Sequence, residues 1–364
     1  MGNSMTGKEL IKTALSGKKP PRLPYVPVID GYTQAGLPEP YNKLDALDIQ
    51  HYFGADMIRT HFTAAERYDS TVKFSIGMLP GQAGALCTQY ETLMGTLRRM
   101  DTFTETSPNI PFPTEHLIKT AGDLRVLRNL IEHTQFEPTY EPIAAAIHKF
   151  PDVQVAAGLW QTGYQELLTG LVGVNNFINF MYDEKDELEA TIEAINSKRL
   201  KEAHMAGLSP AEVIICYENT NVANSSPQWI KKYELPALNE CAKILHSYGK
   251  KFLIHMCGKI AFIMDDIAEC QFDGIIDVAP PPTGDCNIPP EAERLSAKGK
   301  ILGGGIECTV FAEKDPEVFR EKVTVLIEST RHIPGFMLGS GDATPKGVTV
   351  ENLGIARELV NALG

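Results

Sequence analysis

The sequence predicts an α/β protein built on a single (β/α)8 (TIM) barrel, residues 1–364. Short apolar runs rich in β-branched residues alternate with longer helical patterns along the chain. Polar side chains with metal-binding or acid–base groups follow many of these runs, as expected where barrel strands end at the catalytic face. A length of 364 residues suits one large barrel or two average domains, but no linker or internal repeat divides the chain. One domain is therefore predicted.

Eight runs are predicted to form the barrel strands because they are short, apolar and separated by helical patterns. They are residues 25–29, 56–61, 153–160, 213–218, 251–257, 274–278, 301–306 and 335–339. The clearest helical patterns between them are residues 183–206, 227–248 and 315–331.

Residues 66–135 do not follow this alternation. Within them, residues 71–76 and 91–103 have the composition of extended segments joined by Gly/Pro turns. We expect a β-rich excursion here, inserted after the second barrel strand and placed on the catalytic face.

Charge, apolar runs and cysteine content exclude several classes of protein. The formal net charge of -12 argues against nucleic acid or an anionic membrane surface as a partner. The first residues lack the apolar core of a signal peptide, and no uncharged run approaches the ~18 residues of a membrane span, so a cytoplasmic protein is expected. The seven cysteines include no CxxC pair, which favours reduced thiols. Any metal site must then be assembled from separate strands.

The segment His255-Met256-Cys257-Gly258 ends one of the buried strands. Strand alternation points His255 and Cys257 to the same side, so that both can face one ion. Imidazole and thiolate ligands at this spacing suit zinc. Gly258 allows the backbone to turn sharply and to approach a ligand.

Other strand ends supply further candidates. They are Asp30, His61, Trp160, Gln161, Glu218, Asn219, Asp277, Glu307, Cys308, Ser340 and Asp342. Cys308 follows a glycine-rich strand end and is a candidate third ligand, and Glu218 is the alternative or an additional one. Three protein ligands with an open fourth position are typical of catalytic zinc. The structural alternatives are a half-exposed loop thiol for Cys308 and a carboxylate bonded to a loop amide for Glu218.

Three segments resemble the uroporphyrinogen decarboxylase superfamily. They are residues 22–27, residues 226–236 leading into residues 254–258, and residues 338–341 followed by Thr344-Pro345 and Val350-Glu351-Asn352. Their order and spacing span essentially the whole chain. The resemblance implies a TIM barrel and two candidate activities, porphyrinogen decarboxylation and corrinoid-linked methyl transfer.

Decarboxylation is not expected. The resemblance implies arginines around a Gln-Ala-Gly, but Gln34-Ala35-Gly36 is flanked here by Thr33 and Leu37. It also implies an aspartate near Thr63 and a histidine at the position of Ser340. The carboxylates of a porphyrinogen would therefore lack partners.

The His-x-Cys-Gly element is similar to that of the corrinoid-linked zinc methyltransferases. Thiol-methylating members carry their third ligand, a cysteine, where this chain has Ser340, so Cys308 or Glu218 would complete the set. Members that demethylate aryl methyl ethers are described with a Glu, Glu, His pattern, which Glu218, Glu234 and His255 approximate.

We therefore expect zinc-dependent transfer of a methyl group from a small methylated aromatic, an aryl methyl ether, to the Co(I) corrinoid of a partner protein. His255 and Glu218 are the expected catalytic residues. The expected pocket residues are Tyr32, His61, Trp160, Tyr164, Phe177, Asn219 and Ser340. The alternatives are methyl transfer from a corrinoid to a thiol and non-catalytic binding of a corrinoid or tetrapyrrole. A homo-oligomer is compatible with the sequence.

Overall fold

The computed structural model describes residues 5–82, 84–105, 107–345 and 347–364, without the side chains of residues 107–109. Its strands are β1 (Met57–Phe62), β2 (Ala64–Tyr68), β3 (Lys73–Met78), β4 (Ala85–Thr92), β5 (Gly95–Thr104), β6 (Ser107–Glu115), β7 (Thr134–Pro138), β8 (Gln154–Leu159), β9 (Val213–Tyr217), β10 (Lys251–His255), β11 (Gly274–Val278), β12 (Ile301–Ile306) and β13 (Phe336–Ser340).

The α-helices are α1 (Gly7–Leu15), α2 (Gly31–Gly36), α3 (Ala46–Tyr52), α4 (Ala121–Glu132), α5 (Tyr140–Lys149), α6 (Gly163–Gln165), α7 (Val174–Asp183), α8 (Lys185–Leu208), α9 (Pro227–Trp229), α10 (Leu235–Ser247), α11 (Met264–Glu269), α12 (Ile288–Ala297), α13 (Pro316–Thr330) and α14 (Val350–Leu363). Glu166–Leu171 and Ile230–Glu234 are π-helical, and Tyr41–Lys43, Ala261–Ile263 and Cys308–Ala312 are 3-10 turns. Among the described residues, no helix has the length and apolar character needed to cross a bilayer.

The central sheet confirms the predicted barrel. Seven parallel strands follow the order β1-β8-β9-β10-β11-β12-β13. Tyr25 closes the ring through a parallel bridge to Leu338, and its carbonyl oxygen accepts the N–H of Asp56 at 2.7 Å, just before β1. The predicted first strand, residues 25–29, is thus reduced to one bridge. Pro27 explains the difference, because it has no N–H with which to continue the ladder.

Side-chain alternation places one set of strand residues inside the barrel and the other against the helices. Val213, Ile215 and Leu253 belong to the interior cluster, together with Ile11 and Leu15 of α1. Several of the strand residues in this cluster begin their strands, so α1 covers the amino-terminal end of the barrel. The strand-end side chains therefore surround the opposite opening, which we call the barrel mouth.

The predicted helix 227–248 is present, but a π-helical turn interrupts it at Ile230–Glu234. Pro236 accounts for the interruption, because its ring cannot tolerate regular helical bonding to the carbonyl four residues earlier. Predicted helices 183–206 and 315–331 correspond to α8 and α13.

The β-rich excursion begins and ends at the pair β2 and β7. Between them, β3, β4, β5 and β6 form an antiparallel sheet in that order, followed by α4. The predicted extended segment 91–103 is wrong as one strand. Thr92 pairs with Gly95 across a two-residue loop, and Gly95 has a φ of 146°, so the segment contains a hairpin.

Candidate metal centre at the barrel mouth

Three side chains from two parts of the barrel meet at the mouth. His255 ends β10, Cys257 lies two residues beyond it, and Asp342 lies two residues beyond β13. Their ligand atoms all lie within 4.8 Å of one another, the one such group among the residues that the structure describes. The structure thus brings together the predicted pair His255 and Cys257 and adds a carboxylate to it.

Asp277 fixes the orientation of the His255 ring. Its Oδ2 lies 2.6 Å from Nδ1 of His255, and both side chains are buried. With Nδ1 donating to this carboxylate, Nε2 remains for a metal ion, an arrangement that recurs at zinc sites. Burial alone would disfavour the imidazolium, but the hydrogen bonds to Asp277 and Cys257 outweigh it and raise the pKa of His255 to about 10. A metal ion would have to displace that proton.

Arg59 supports Asp277 from across the barrel. Its two terminal nitrogens donate to both carboxylate oxygens at 2.6 and 2.5 Å. Burial alone raises the pKa of Asp277, but Arg59 and His255 reverse this and lower the pKa to about 2. Because β1 and β11 lie four places apart in the ring of strands, the Arg59–Asp277 pair spans the barrel next to the His255 ring.

Backbone geometry turns Asp277 inward. Ile276 belongs to the interior cluster, so simple alternation would point Asp277 outward. The pairing register shifts between Ile275 and Val278, and Asp277 has a φ of 65°, a conformation that costs a non-glycine residue on the order of 1–3 kcal/mol. Its pairing with Arg59 and His255 offsets that cost.

The donor set fits zinc. Histidine nitrogen, cysteine thiolate and carboxylate oxygen are the ligands that Zn²⁺ takes in proteins, and three protein ligands leave a fourth position open. Gly258 serves the neighbouring turn, because a Cβ there would lie 2.4 Å from the Thr220 carbonyl oxygen. The close approach expected of Gly258 is thus made to the loop after β9. In that loop, Asn219 Oδ1 lies 3.9 Å from the Cys257 sulfur.

Glu218, an expected ligand, lies elsewhere. It follows Cys216 on the outward face of β9, whereas Tyr217 faces inward. Its carboxylate accepts the backbone N–H of Thr162 at 2.6 Å and the Thr162 hydroxyl at 2.9 Å. The geometry therefore matches the alternative of a carboxylate bonded to a loop amide, and does not match ligation together with His255.

Glu234 and Cys308 are also outside the group. Glu234 is fully buried and accepts hydrogen bonds from Gln165, at 2.8 Å, and from the Thr220 hydroxyl. Cys308 is buried at the start of a 3-10 turn, with its thiol 3.7 Å from Glu307. The third member of the candidate group, Asp342, instead stands two residues beyond Ser340, in the loop that follows the same strand.

The buried Glu218 carboxyl should make the free energy of unfolding depend on pH. Burial raises its pKa to about 6, although hydrogen bonds from Thr162 and Cys216 partly oppose this. The folded protein therefore holds a proton that the unfolded chain releases near pH ~4.3, so Glu218 lowers stability as pH rises from ~4.5 to ~6. In Glu218→Gln this contribution disappears. Urea unfolding should show the variant gaining about 2 kcal/mol relative to wild type between pH ~4.5 and ~7. If the free energies of unfolding of wild type and variant changed with pH in parallel, the prediction would be contradicted.

An aromatic wall leads from solvent to His255. Trp160, 44% exposed, stacks on Phe62 with ring centroids 4.0 Å apart. Tyr217 then lies 6.1 Å from Phe62 and 5.8 Å from the His255 ring. A bulge in β1 between Arg59 and Phe62 turns Phe62 inward, over Gly158.

A groove of about 550 Å³ lies beside this wall. His61, expected in the pocket, is exposed and lines the groove together with Phe62 and Trp160. Tyr90 of the excursion lines it as well, so the excursion borders this side of the mouth.

The remaining expected pocket residues have other surroundings. Tyr164 and Phe177 are buried in the helix layer, where their rings meet edge to face 5.3 Å apart. The buried Ser340 hydroxyl accepts the N–H of Val28 at 2.9 Å and so holds the barrel-closing segment. Tyr32 is half-buried on α2.

Sequence reasoning missed Arg59, Phe62 and Tyr217 and gave no role to Asp277 or Asp342. Arg59 could have been predicted from the sequence, because alternation along β1 places it on the same inward face as Met57. A buried arginine requires an acidic partner. Phe62 could not have been predicted in this way, because its inward position depends on the bulge.

Comparisons with known proteins agree with this architecture. The family model described as Uroporphyrinogen decarboxylase (URO-D) matches residues 100–363. Methylcobamide:CoM methyltransferase MtaA of Methanosarcina barkeri (strain Fusaro / DSM 804) is 22% identical over 281 residues, which cover 75% of this chain and 76% of that protein. A second MtaA of Methanosarcina barkeri is 23% identical over 187 residues, 51% of each chain. The solved methyltransferase from Methanosarcina mazei has a TM-score of 0.64 at 18% identity, covering 98% of this chain and 99% of that one, which supports the fold.

Proposed function

The chain belongs to the uroporphyrinogen decarboxylase (URO-D) family, and we propose that it is a zinc-dependent methyltransferase that moves a methyl group from a corrinoid to a small thiol. The observation that carries the proposal is the group His255, Cys257 and Asp342 at the barrel mouth. The two relatives named methylcobamide:CoM methyltransferase support a thiol acceptor over the aryl methyl ether first expected from the sequence.

The charges of the three side chains favour a thiol. Bound zinc would lower the pKa of an acceptor thiol and hold it as a thiolate. Cys257 and Asp342, both anionic, would already balance the charge of the ion, while His255 is neutral when it ligates. The added thiolate would then keep its negative charge and its nucleophilicity. Asp342 carries the same charge as the cysteine that the thiol-methylating members have near this strand end, so it preserves that balance.

The other residues of the mouth would position the reactants. Arg59 and Asp277 hold the His255 ring in one orientation, so that the ligand geometry is set before a substrate arrives. A corrinoid is too large to enter the mouth whole, so its carrier protein would cap the opening. The exposed Trp160 and the neighbouring excursion would meet that carrier. With a net charge of -12 on the chain, contacts of shape and apolar surface would set specificity for an acidic carrier.

A second candidate is demethylation of an aryl methyl ether, with the methyl group passed to a Co(I) corrinoid. The stack of Phe62 and Trp160 favours it, because an exposed planar surface on the aromatic wall that leads to His255 suits an aromatic ring. Zinc would then act on the ether oxygen as a Lewis acid.

The cobalt spectrum distinguishes these functions. Zinc-loaded protein is mixed with methyl-Co(III) corrinoid and either coenzyme M or homocysteine, and separately with Co(I) corrinoid and a methoxyarene such as guaiacol. We expect loss of methyl-Co(III) with a thiol. Formation of methyl-Co(III) from a methoxyarene alone would favour the second candidate. If the protein bound corrinoid equally well with and without zinc and turned over neither substrate, it would be a binding protein, and both proposed functions would be overturned. The Cys270→Ala variant, altered at a buried thiol away from the mouth, should give the same spectral change as wild type.

A further inference from the structure

The edge strand β3 lacks the features that usually protect a sheet edge. It lies at one end of the four-stranded sheet of the excursion, and all six of its residues are exposed. Phe74, Ile76 and Met78 are 46%, 57% and 54% exposed. The strand has no proline, pairs with β4 without a bulge, and carries one charged residue, Lys73, at its start. Soluble proteins usually interrupt such an edge with charges, prolines or bulges, because it is a template for another strand.

The backbone of β3 offers its free hydrogen-bonding groups at alternate residues. The N–H of Leu79 donates to the Ala85 carbonyl at 2.9 Å, so this is a hydrogen-bonded pair of the β3–β4 ladder. Hydrogen-bonded pairs alternate in an antiparallel ladder, so Gly77 and Ser75 also bond to β4. The N–H and C=O groups of the residues between them, Phe74, Ile76 and Met78, therefore point to the free edge. Their side chains share one face of the sheet.

We propose that β3 pairs antiparallel with β3 of a second copy of this chain, with the two-fold axis at Ile76. Ile76 then stands opposite Ile76 of the second copy, and Phe74 opposite Met78. In this register the outward N–H and C=O groups of all three residues find partners, and large apolar side chains meet on one face. The two excursions become one continuous sheet.

A second copy fits this edge because the strand is self-complementary. With the axis at Ile76, Phe74 of each copy stands opposite Met78 of the other. On the opposite face of the sheet, the small residues Ser75 and Gly77 stand opposite each other in the same way. Lys73 lies outside the paired residues and forms an ion pair with Glu91 of its own chain, at 3.8 Å. Like charges therefore do not face each other across the axis. The pairing is short against the ~1,600 Å² of a standard interface, so we expect a dimer that forms over the micromolar range.

Sedimentation velocity over a range of concentrations tests the dimer. Wild type should shift from one to two chains, whereas Ile76→Lys, which places two lysines opposite each other, should stay monomeric. The matched control is Phe112→Lys, a change at a residue 54% exposed on β6, at the other edge of the same sheet. Wild type that is monomeric throughout, or equal dissociation in both variants, would overturn the proposal.

Oxidative cross-linking tests the register, independently of how strongly the copies associate. At Ile76→Cys, the two Cα atoms would lie ~5.5 Å apart, within disulfide range. At Phe74→Cys, they would be separated by about four residues of strand, ~13 Å, and out of reach. We expect a covalent dimer in the first variant and not in the second, with wild type as the control for the natural cysteines. A cross-link only through Phe74→Cys, or in neither variant, would contradict pairing at Ile76.

Discussion

The His255→Ala variant should fail to bind zinc and should lose the proposed methyl transfer while retaining its fold. His255 would supply the nitrogen ligand of the proposed three-residue site, and its ring lies at the end of β10, at the barrel mouth. Replacing a residue that only hydrogen-bonds to a metal ligand typically weakens metal affinity by ~10–100-fold. Replacing the ligand itself should weaken it further. Elemental analysis and competition with a chromophoric chelator measure the zinc, and circular dichroism measures the fold.

Matched variants make that result specific. Cys257→Ala and Asp342→Ala should lose zinc as well. Cys241→Ala and Cys270→Ala should retain it, because both thiols are buried against helices and act as small apolar side chains. Stoichiometric zinc in His255→Ala would mean that the metal binds elsewhere, and zinc loss in Cys241→Ala would overturn the division between ligand and core cysteines.

Replacing Arg59 with methionine should lower the free energy of unfolding by about 3–5 kcal/mol, because it leaves the Asp277 carboxylate buried without its bidentate partner. Urea unfolding of the zinc-free protein measures the effect without a contribution from metal binding. We expect the double variant Arg59→Met/Asp277→Asn to recover part of the loss, since the carboxylate charge that Arg59 balanced is then absent.

The control for this prediction is a second arginine–carboxylate pair at the surface. Arg67 and Glu137 are 65% and 55% exposed, so Arg67→Met should cost less than about 1 kcal/mol. Equal losses in the Arg59 and Arg67 variants would show that burial of the Arg59 pair has no special consequence.

The barrel and the pair His255 and Cys257 could be predicted from the sequence because both depend on local alternation. Leu253 and His255 face inward by the same rule that makes the strand recognisable. The rule fails for Asp277 and Phe62, where a positive φ and a bulge reverse the direction of the side chain. Such irregularities are set by partners distant in sequence, Arg59 for the first and Gly158 for the second.

The same limit explains why the structure does not bring Glu218 into the candidate ligand group. Glu218 was placed at the mouth because it ends a predicted strand, but the parity of β9 sends it outward. Asp342 lies beyond its strand end, in a loop whose path alternation does not describe.

The Arg59–Asp277 pair also bears on the route by which small molecules would reach and leave the candidate site. It joins β1 to β11 across the barrel interior beside His255, and α1 covers the amino-terminal end, so the mouth is the opening through which the three candidate ligands are reached. For the proposed methyl transfer, the small reactant and the carrier protein would share one opening. Steady-state kinetics should then be compulsorily ordered: the thiol enters first, the carrier docks over it, and the methylated product leaves only after the carrier has dissociated.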